Sequence, residues 1–337
     1  MSLHPYETLT PDLVLDALAS VGLHGDGRLM GLSSYENRVY QVQLEDVHEG
    51  HGAVVAKFYR PQRWSEDQIL EEHAFAQELM AAEVPAVGPL VLGSATLHHF
   101  GGFAFSVSPR RGGRRPELDD EEVLEWIGRF LARIHTVGQA RPFRHRPALD
   151  LQTFAIAPRD WLLTHQAIPL DIQAQWQEVC DKAIELIAGC APLVRAGARN
   201  DSSIRLLRLH GDCHPGNILW TPDQGPHFVD LDDACTGPAV QDLWMLLSGE
   251  RAQRQRQLGA LLDGYEQFRE FDRSELALIE PLRTLRLIHY SYWLARRWDD
   301  PAFPAAFPWF GTSDYWKGQV QMLEEQLEAM AEPPLIA

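Results

Sequence analysis

At 337 residues, 45% hydrophobic and 23% charged, the chain has the make-up of a globular protein with ample material for a core. A net charge of −17 sets its surface against nucleic-acid phosphates and anionic lipid, and no apolar run approaches the ~20 residues of a membrane span. Cys180, Cys190, Cys213 and Cys235 form no C-x-x-C pair, and "MSLHPYETLTPDLVLDAL" lacks the basic-then-apolar layout of a signal peptide, so a cytoplasmic protein with reduced thiols is expected.

Thr10 and Pro11 supply the cap and first position of a helix running through Leu13, Leu15 and Leu18. From Gly31, "GLSSYENRVYQVQLED" reads as a turn-rich entry into a half-buried strand over 39–44. "EGHGAVVAKFYRP" is its hairpin return, a strand over 54–59 ended by Pro61. Ser65 caps an amphipathic helix, "SEDQILEEHAFAQELMAAE", and "AVGPLVLG" and "GGFAFSVSP" are two further strand candidates. The basic cluster "SPRRGGRRPEL" reads as a solvated loop, with a binding role as its alternative. Helices are then expected over 121–137, 151–164, 172–193, 239–247, 254–268, 274–297 and 313–331. They are interrupted by the loop "LHGDCHPGNILW", the strand and acidic turn "HFVDLDDACTG", and the Pro- and aromatic-rich "DDPAFPAAFPWFG". The expected organisation is α+β: a small mixed lobe over 1–108, a linker over 109–116 and a large helical lobe over 117–337.

The loop packs His210, Asp212, His214 and Asn217 around Pro215 and Gly216, and Asp230 follows on the next strand. Phosphoryl transfer asks for a carboxylate to take the acceptor hydroxyl's proton, and for an amide and a second carboxylate to hold Mg²⁺ against the phosphates. Asp212, Asn217 and Asp230 meet that need. Lys57 sits inside an apolar strand, where an unpaired ammonium would be costly, and a helix bearing Glu71 and Glu72 follows. A Lys–Glu pair could aim the ammonium at the α- and β-phosphates, beneath the Ser-bearing turn "GLSSYEN". A rival reading makes His210, Asp212 and His214 an H-x-D-x-H zinc cluster of a hydrolase, which leaves Lys57, Asn217 and Asp230 without a role.

"HGDCHPGN" with "FVDLDDA" resembles the catalytic and metal loops of the aminoglycoside phosphotransferase and choline kinase-like superfamily. "SYENRVYQ", "KFYRPQRW", "ILEEHAFAQEL", "GPAVQDLWMLL" and "DPAFPAAFPWF" extend the likeness to a branch of bacterial serine/threonine protein kinases with a stress-response role. The resemblance implies the two-lobed protein-kinase-like fold, ATP and Mg²⁺ as cofactors, Asp212 as proton acceptor, and Asn217 and Asp230 as metal ligands. It places Ser34 against ATP, Glu72 as the partner of Lys57, and Asp242 as a buttress of the catalytic loop. Protein substrates, the chain itself among them, and a monomer without nucleic-acid or membrane partners are implied too; the alternative acceptor is a small alcohol such as choline, homoserine or an aminoglycoside. The sequence departs from ordinary protein kinases at Asp230-Leu231-Asp232, with Gly237 and Pro238 close behind, which leaves little room for a phosphorylatable activation loop.

Overall fold

The computed structural model describes residues 4–190 and 204–336. The described strands are β1 (Gly25–Gly31), β2 (Arg38–His48), β3 (His51–Phe58), β4 (His98–Phe100), β5 (Phe103–Pro109), β6 (Leu207–Leu209), β7 (Ile218–Thr221), β8 (Gly225–Phe228) and β9 (Cys235–Gly237). The described α-helices are α1 (Pro11–Ser20), α2 (Glu66–Ala81), α3 (Glu121–Gln139), α4 (Ala157–Thr164) and α5 (Leu170–Ala188), then α6 (Gln241–Trp244), α7 (Arg251–Tyr265), α8 (Ile279–Arg296), α9 (Ala302–Ala306) and α10 (Ser313–Ala331). They form two compact units: one holds the chain up to Glu117 with Phe143–Arg146 and His214–Ala234, the other Leu118–Pro142, Pro147–Cys213 and the chain from Cys235. Among the described residues no helix is long and apolar enough to cross a membrane.

The first unit is built on an antiparallel sheet of order β1-β2-β3-β5-β4. Val54, Ala56 and Phe58 are fully buried against Val42, Phe105, Val107 and the apolar face of α1. The larger of these, valine and phenylalanine, each contribute about 1.5–3 kcal/mol by leaving water. Because side chains alternate across a strand, Lys57 must face the other way. Its register partners are Val39 and Ser106, so it is held between two neighbours near the end of the central strand of the sheet. Thr10 caps α1 by accepting the Leu13 amide at 3.2 Å, and Ser65 and Gln68 close a reciprocal capping box on α2.

One strand escapes the sequence reading and one strand expectation is corrected. β1 is hidden by Gly25, Gly27 and Gly31 and by its exposed surface, which leaves no alternation to read. "AVGPLVLG" is not a strand but irregular chain, where Gly88 and Pro89 break the ladder and Leu90 N donates singly to Val107 O at 2.7 Å.

Among its described residues the regular structure of the second unit is helical apart from the antiparallel pair β6–β9. Helices α3 and α7 cross at two glycines: a Cβ on Gly128 would lie 2.0 Å from Leu261 O, and one on Gly264 2.0 Å from Glu125 O. The helix expected from Leu151 opens instead as a π-helix over Gln152–Ile156. Pro158 has no N–H for the Phe154 carbonyl, and the widened turn closes with Ala157 N donating to Gln152 O. Pro281 falls in the first turn of α8, where its missing N–H is tolerated, and α8 begins at Ile279 after a 3₁₀ stretch rather than at Ser274. The end of α5 expected at Leu193 lies outside the described residues.

Candidate active site

Within the first unit, Asn217 and Asp230 are brought together by the hairpin β7–β8. Ile218 pairs with Phe228, and Val229 N donates to Asn217 O at 3.0 Å, so the amide and the carboxylate flank the open end of the hairpin. Asp230 adopts the left-handed conformation, φ 60° and ψ 62°. A non-glycine residue there is uncommon and stores strain, a feature that concentrates at functional sites. Its carboxylate is half exposed, and Oδ1 accepts Lys57 Nζ at 2.9 Å. Asp232 Oδ1 lies 3.4 Å from the same ammonium. Burial works against the charge on Lys57, yet Asp230 and Asp232 outweigh it and hold its proton well above lysine's ordinary value.

Glu72 lies buried on α2, and its carboxyl is pushed up to about 7 by burial, with the Lys57 charge opposing. The ion pairs of the ammonium are with Asp230 and Asp232; Glu72 acts on it electrostatically from farther off. Glu71 has a different task. Its two carboxylate oxygens accept the amides of Arg144, His145 and Arg146 at 2.6, 2.8 and 2.9 Å, which anchors that short segment to α2. Ser34 Oγ donates to Asn37 O at 3.0 Å and tightens the turn before β2.

Asp232 is 4% exposed and joins four segments. It accepts Asn37 Nδ2 at 3.1 Å, pairs with Lys57 and Arg63, and its carbonyl accepts Arg146 Nη2 at 2.5 Å. Burial opposes its charge, but Lys57 and Arg63 hold the carboxyl well below the usual range. Trp64 receives the Arg146 guanidinium 4.2 Å from its ring centroid.

In the second unit, Asp242 is fully buried and accepts His210 N at 2.9 Å and Gly211 N at 2.8 Å. His135 Nε2 stands 3.1 Å from the same carboxylate, with Nδ1 2.9 Å from the Tyr265 hydroxyl. Gln241 Nε2 donates to Gly211 O at 2.9 Å. The backbone just before Asp212 is thus clamped on both its donors and its acceptor. Asp212 Oδ1 accepts Arg286 Nη1 from α8 at 2.7 Å. His214, in the first unit, spends its Nδ1 on the Gly216 amide at 2.9 Å and so caps a 3₁₀ turn. Among the described residues no group of three or more His, Cys, Asp or Glu side chains could hold a metal ion, so the H-x-D-x-H motif is not gathered into a zinc site.

The phosphotransferase enzyme family matches residues 29–279. The chain belongs to that family. It is 48% identical to stress response kinase A of Escherichia coli (strain K12) over 98% of this chain and 96% of the relative. It is 46% identical, over the same shares, to the serine/threonine protein kinase RdoA of Salmonella typhimurium. Its fold is that of a microcompartment-associated aminopropanol kinase, with a TM-score of 0.69 at 17% identity over 95% of this chain and 98% of the other. An amicoumacin kinase in complex with AMP-PNP and Ca²⁺ aligns with a TM-score of 0.68 at 18% identity, over 96% and 94%.

In this phosphotransferase Asp230, beside Lys57, and Asn217, across the open end of the β7–β8 hairpin, offer a half-exposed carboxylate and an amide, hard oxygen donors of the kind a divalent cation takes beside phosphate oxygens. The residues that sequence reading missed are Asn37, Arg63, Arg146, His135 and Arg286. Asn37 and Arg63 stand inside segments that carried the family likeness, "SYENRVYQ" and "KFYRPQRW", and that was their only signal. Arg146, His135 and Arg286 come from distant segments with no motif around them.

Proposed function

We propose that the chain is a serine/threonine protein kinase that moves the γ-phosphoryl group of ATP to protein hydroxyls, its own included, with Mg²⁺ as the divalent cation. The observation that carries this reading is the near-whole-length identity to stress response kinase A. The likeness to small-alcohol kinases is a likeness of fold at 17–18% identity, and a fold does not select an acceptor.

In this reading Asp212 accepts the proton of the acceptor hydroxyl, and the clamp from Asp242 fixes where its carboxylate stands. Asp230 and Asn217 hold the cation, which when bound neutralises charge on the phosphates. Lys57 is the phosphate-binding ammonium and Glu72 its partner from α2. The turn bearing Ser34 covers the phosphates, and adenine lies along Phe105 to Ser108. Asp232, tied to Asn37 and Arg63, keeps the metal loop in register without a phosphorylated activation loop. The enzyme acts as a monomer in the cytoplasm, in a stress response. Incubation with labelled ATP, Mg²⁺ and a generic protein substrate tests this: label is expected on protein serine or threonine, and label found only on a small alcohol would sink it.

A further inference from the structure

Helix α8 is locally basic in an acidic chain: Arg283, Arg286, Arg296 and Arg297 face one acid, Glu280, between Ile279 and Arg297. Two of these charges have structural tasks. Arg283 sits over the Trp244 ring and 3.4 Å from Glu280, and Arg296 donates to the Tyr292 hydroxyl at 2.7 Å. Arg286 is different. Its guanidinium pairs with Asp212, and its side chain is 43% exposed where that of Asp212 is 20% exposed. The cation is therefore the more solvent-facing member of the pair.

A hydroxyl that gives its proton to Asp212 must come within about 3 Å of the carboxylate, and so within a few ångströms of Arg286. Whatever charge the acceptor carries beside that hydroxyl meets a guanidinium. At about 6 Å and surface-like screening, one unit charge is worth roughly tenfold in affinity, favourable for an anion and unfavourable for a cation. The next turn of α8 on that face adds rings rather than acids. His289 packs at 4.7 Å on Phe154 of the π-helix, and Tyr290 stacks on Trp293 at 5.6 Å. π-turns recur at functional sites, and here one supports the helix that carries Arg286.

We infer that Arg286 is a specificity-determining residue: the acceptor carries an anionic group, a carboxylate or a phosphate, within a residue or two of the phosphorylated hydroxyl, and cationic acceptors are rejected. The inference rests on the proposed function, since it takes Asp212 as the group that meets the acceptor.

The test is kcat/KM for transfer from ATP to four serine peptides, alike except for glutamate, phosphoserine, glutamine or lysine two residues from the serine. The intact enzyme is expected to prefer the glutamate or phosphoserine peptide over the lysine peptide by about tenfold or more, and whichever of the two leads identifies the anion. Arg286→Gln should compress that ratio to within about threefold, Arg286→Lys should keep most of it, and Arg286→Glu should invert it. Equal rates on all four peptides with the intact enzyme would overturn the inference and leave the kinase reading standing. So would an Arg286→Gln variant that keeps the full ratio, or one whose rates fall by the same factor on every peptide, since Arg286 would then act only by positioning Asp212. An intact enzyme that labels no peptide, no protein and not itself would overturn the proposed function, and this inference with it.

Discussion

Asp212 and Asp230 are both carboxylates on chain flanking one hairpin, yet the proposed roles make opposite demands on them, and single substitutions separate the two. Asp212→Ala removes the proposed proton acceptor and leaves the proposed nucleotide-binding residues in place. Transfer should fall by about 10²–10⁴-fold, while titration with a fluorescent ATP analogue gives nearly unchanged affinity. Asp230→Ala should lose the Mg²⁺-dependent part of nucleotide binding, read as equal affinities with and without the cation. It also strips Lys57 of its 2.9 Å partner. Asp242 carries a third expectation. It is fully buried and accepts two amides beside His135, so Asp242→Ala leaves those donors unsatisfied at a cost of roughly 3 kcal/mol. A fall in the thermal midpoint should accompany the loss of transfer. Asp212, Asn217 and Asp230 could be nominated from the sequence because the pattern that proposes them is local: two share one loop and the third follows its hairpin. Arg286, His135 and Arg146 were not, because their meaning arises only when the chain brings residues 74, 107 and 86 positions away to Asp212, Asp242 and Asp232.

Secondary structure was readable where an element carries its own start signal. α1, α2 and α10 open on Thr10, Ser65 and Thr312, each accepting a backbone amide three residues on, and α10 spans the residues its pattern indicates. Elements whose shape is imposed by neighbours were not readable. β1 is held as a strand by pairing with β2, although its own residues favour turns. The π-turn follows from the proline after it, and the helix expected over Ala239–Leu247 shrinks to the four residues of α6. The α3–α7 crossing is the sharpest case, since its two glycines read in sequence as mild defects in helices. In the structure they let the two backbones touch. Gly128→Ala would set a methyl against the Leu261 carbonyl at 2.0 Å, where backbone and not a flexible side chain must yield. A loss of about 1–3 kcal/mol is expected, although alanine is the better helix former. Gly259→Ala, on the partner helix α7 with nothing within 4 Å of the added methyl, should be neutral or stabilising. Thermal melts of the two variants should therefore move apart, and equal melts would remove the crossing as a constraint on the fold.

Over the whole molecule, acidity is balanced unevenly, and stability should depend on pH for identifiable reasons. Each compact unit holds one buried glutamate whose carboxyl is pushed up to about 7: Glu72 in the first, by burial against the opposing Lys57 charge, and Glu275 in the second, by burial although it accepts the Val240 amide at 2.8 Å. In the unfolded chain both titrate near 4.5. Between pH 4.5 and 7 the unfolded chain has released these protons while the folded chain retains them, so stability falls as pH rises across that window and levels off above it. Each group is worth on the order of 3 kcal/mol across the full window. Asp232 works the other way. Lys57 and Arg63 hold its carboxyl low in the folded state, so its contribution is present above the ordinary aspartate range and is lost on strong acidification. The two opposing trends cross at about pH 4, at the lower edge of the window in which the glutamates lose their contribution. Thermal midpoints measured at pH 5.5 and 8 should differ, the lower pH giving the higher value. Glu275→Gln keeps an oxygen for the Val240 amide but cannot ionise, so it should shrink that difference by raising the midpoint at pH 8. Glu72→Gln should do the same in the first unit while removing the proposed partner of Lys57. An unchanged pH 8 midpoint in both variants would mean that neither carboxyl carries a charge the fold must tolerate, and the pH trend would need another source.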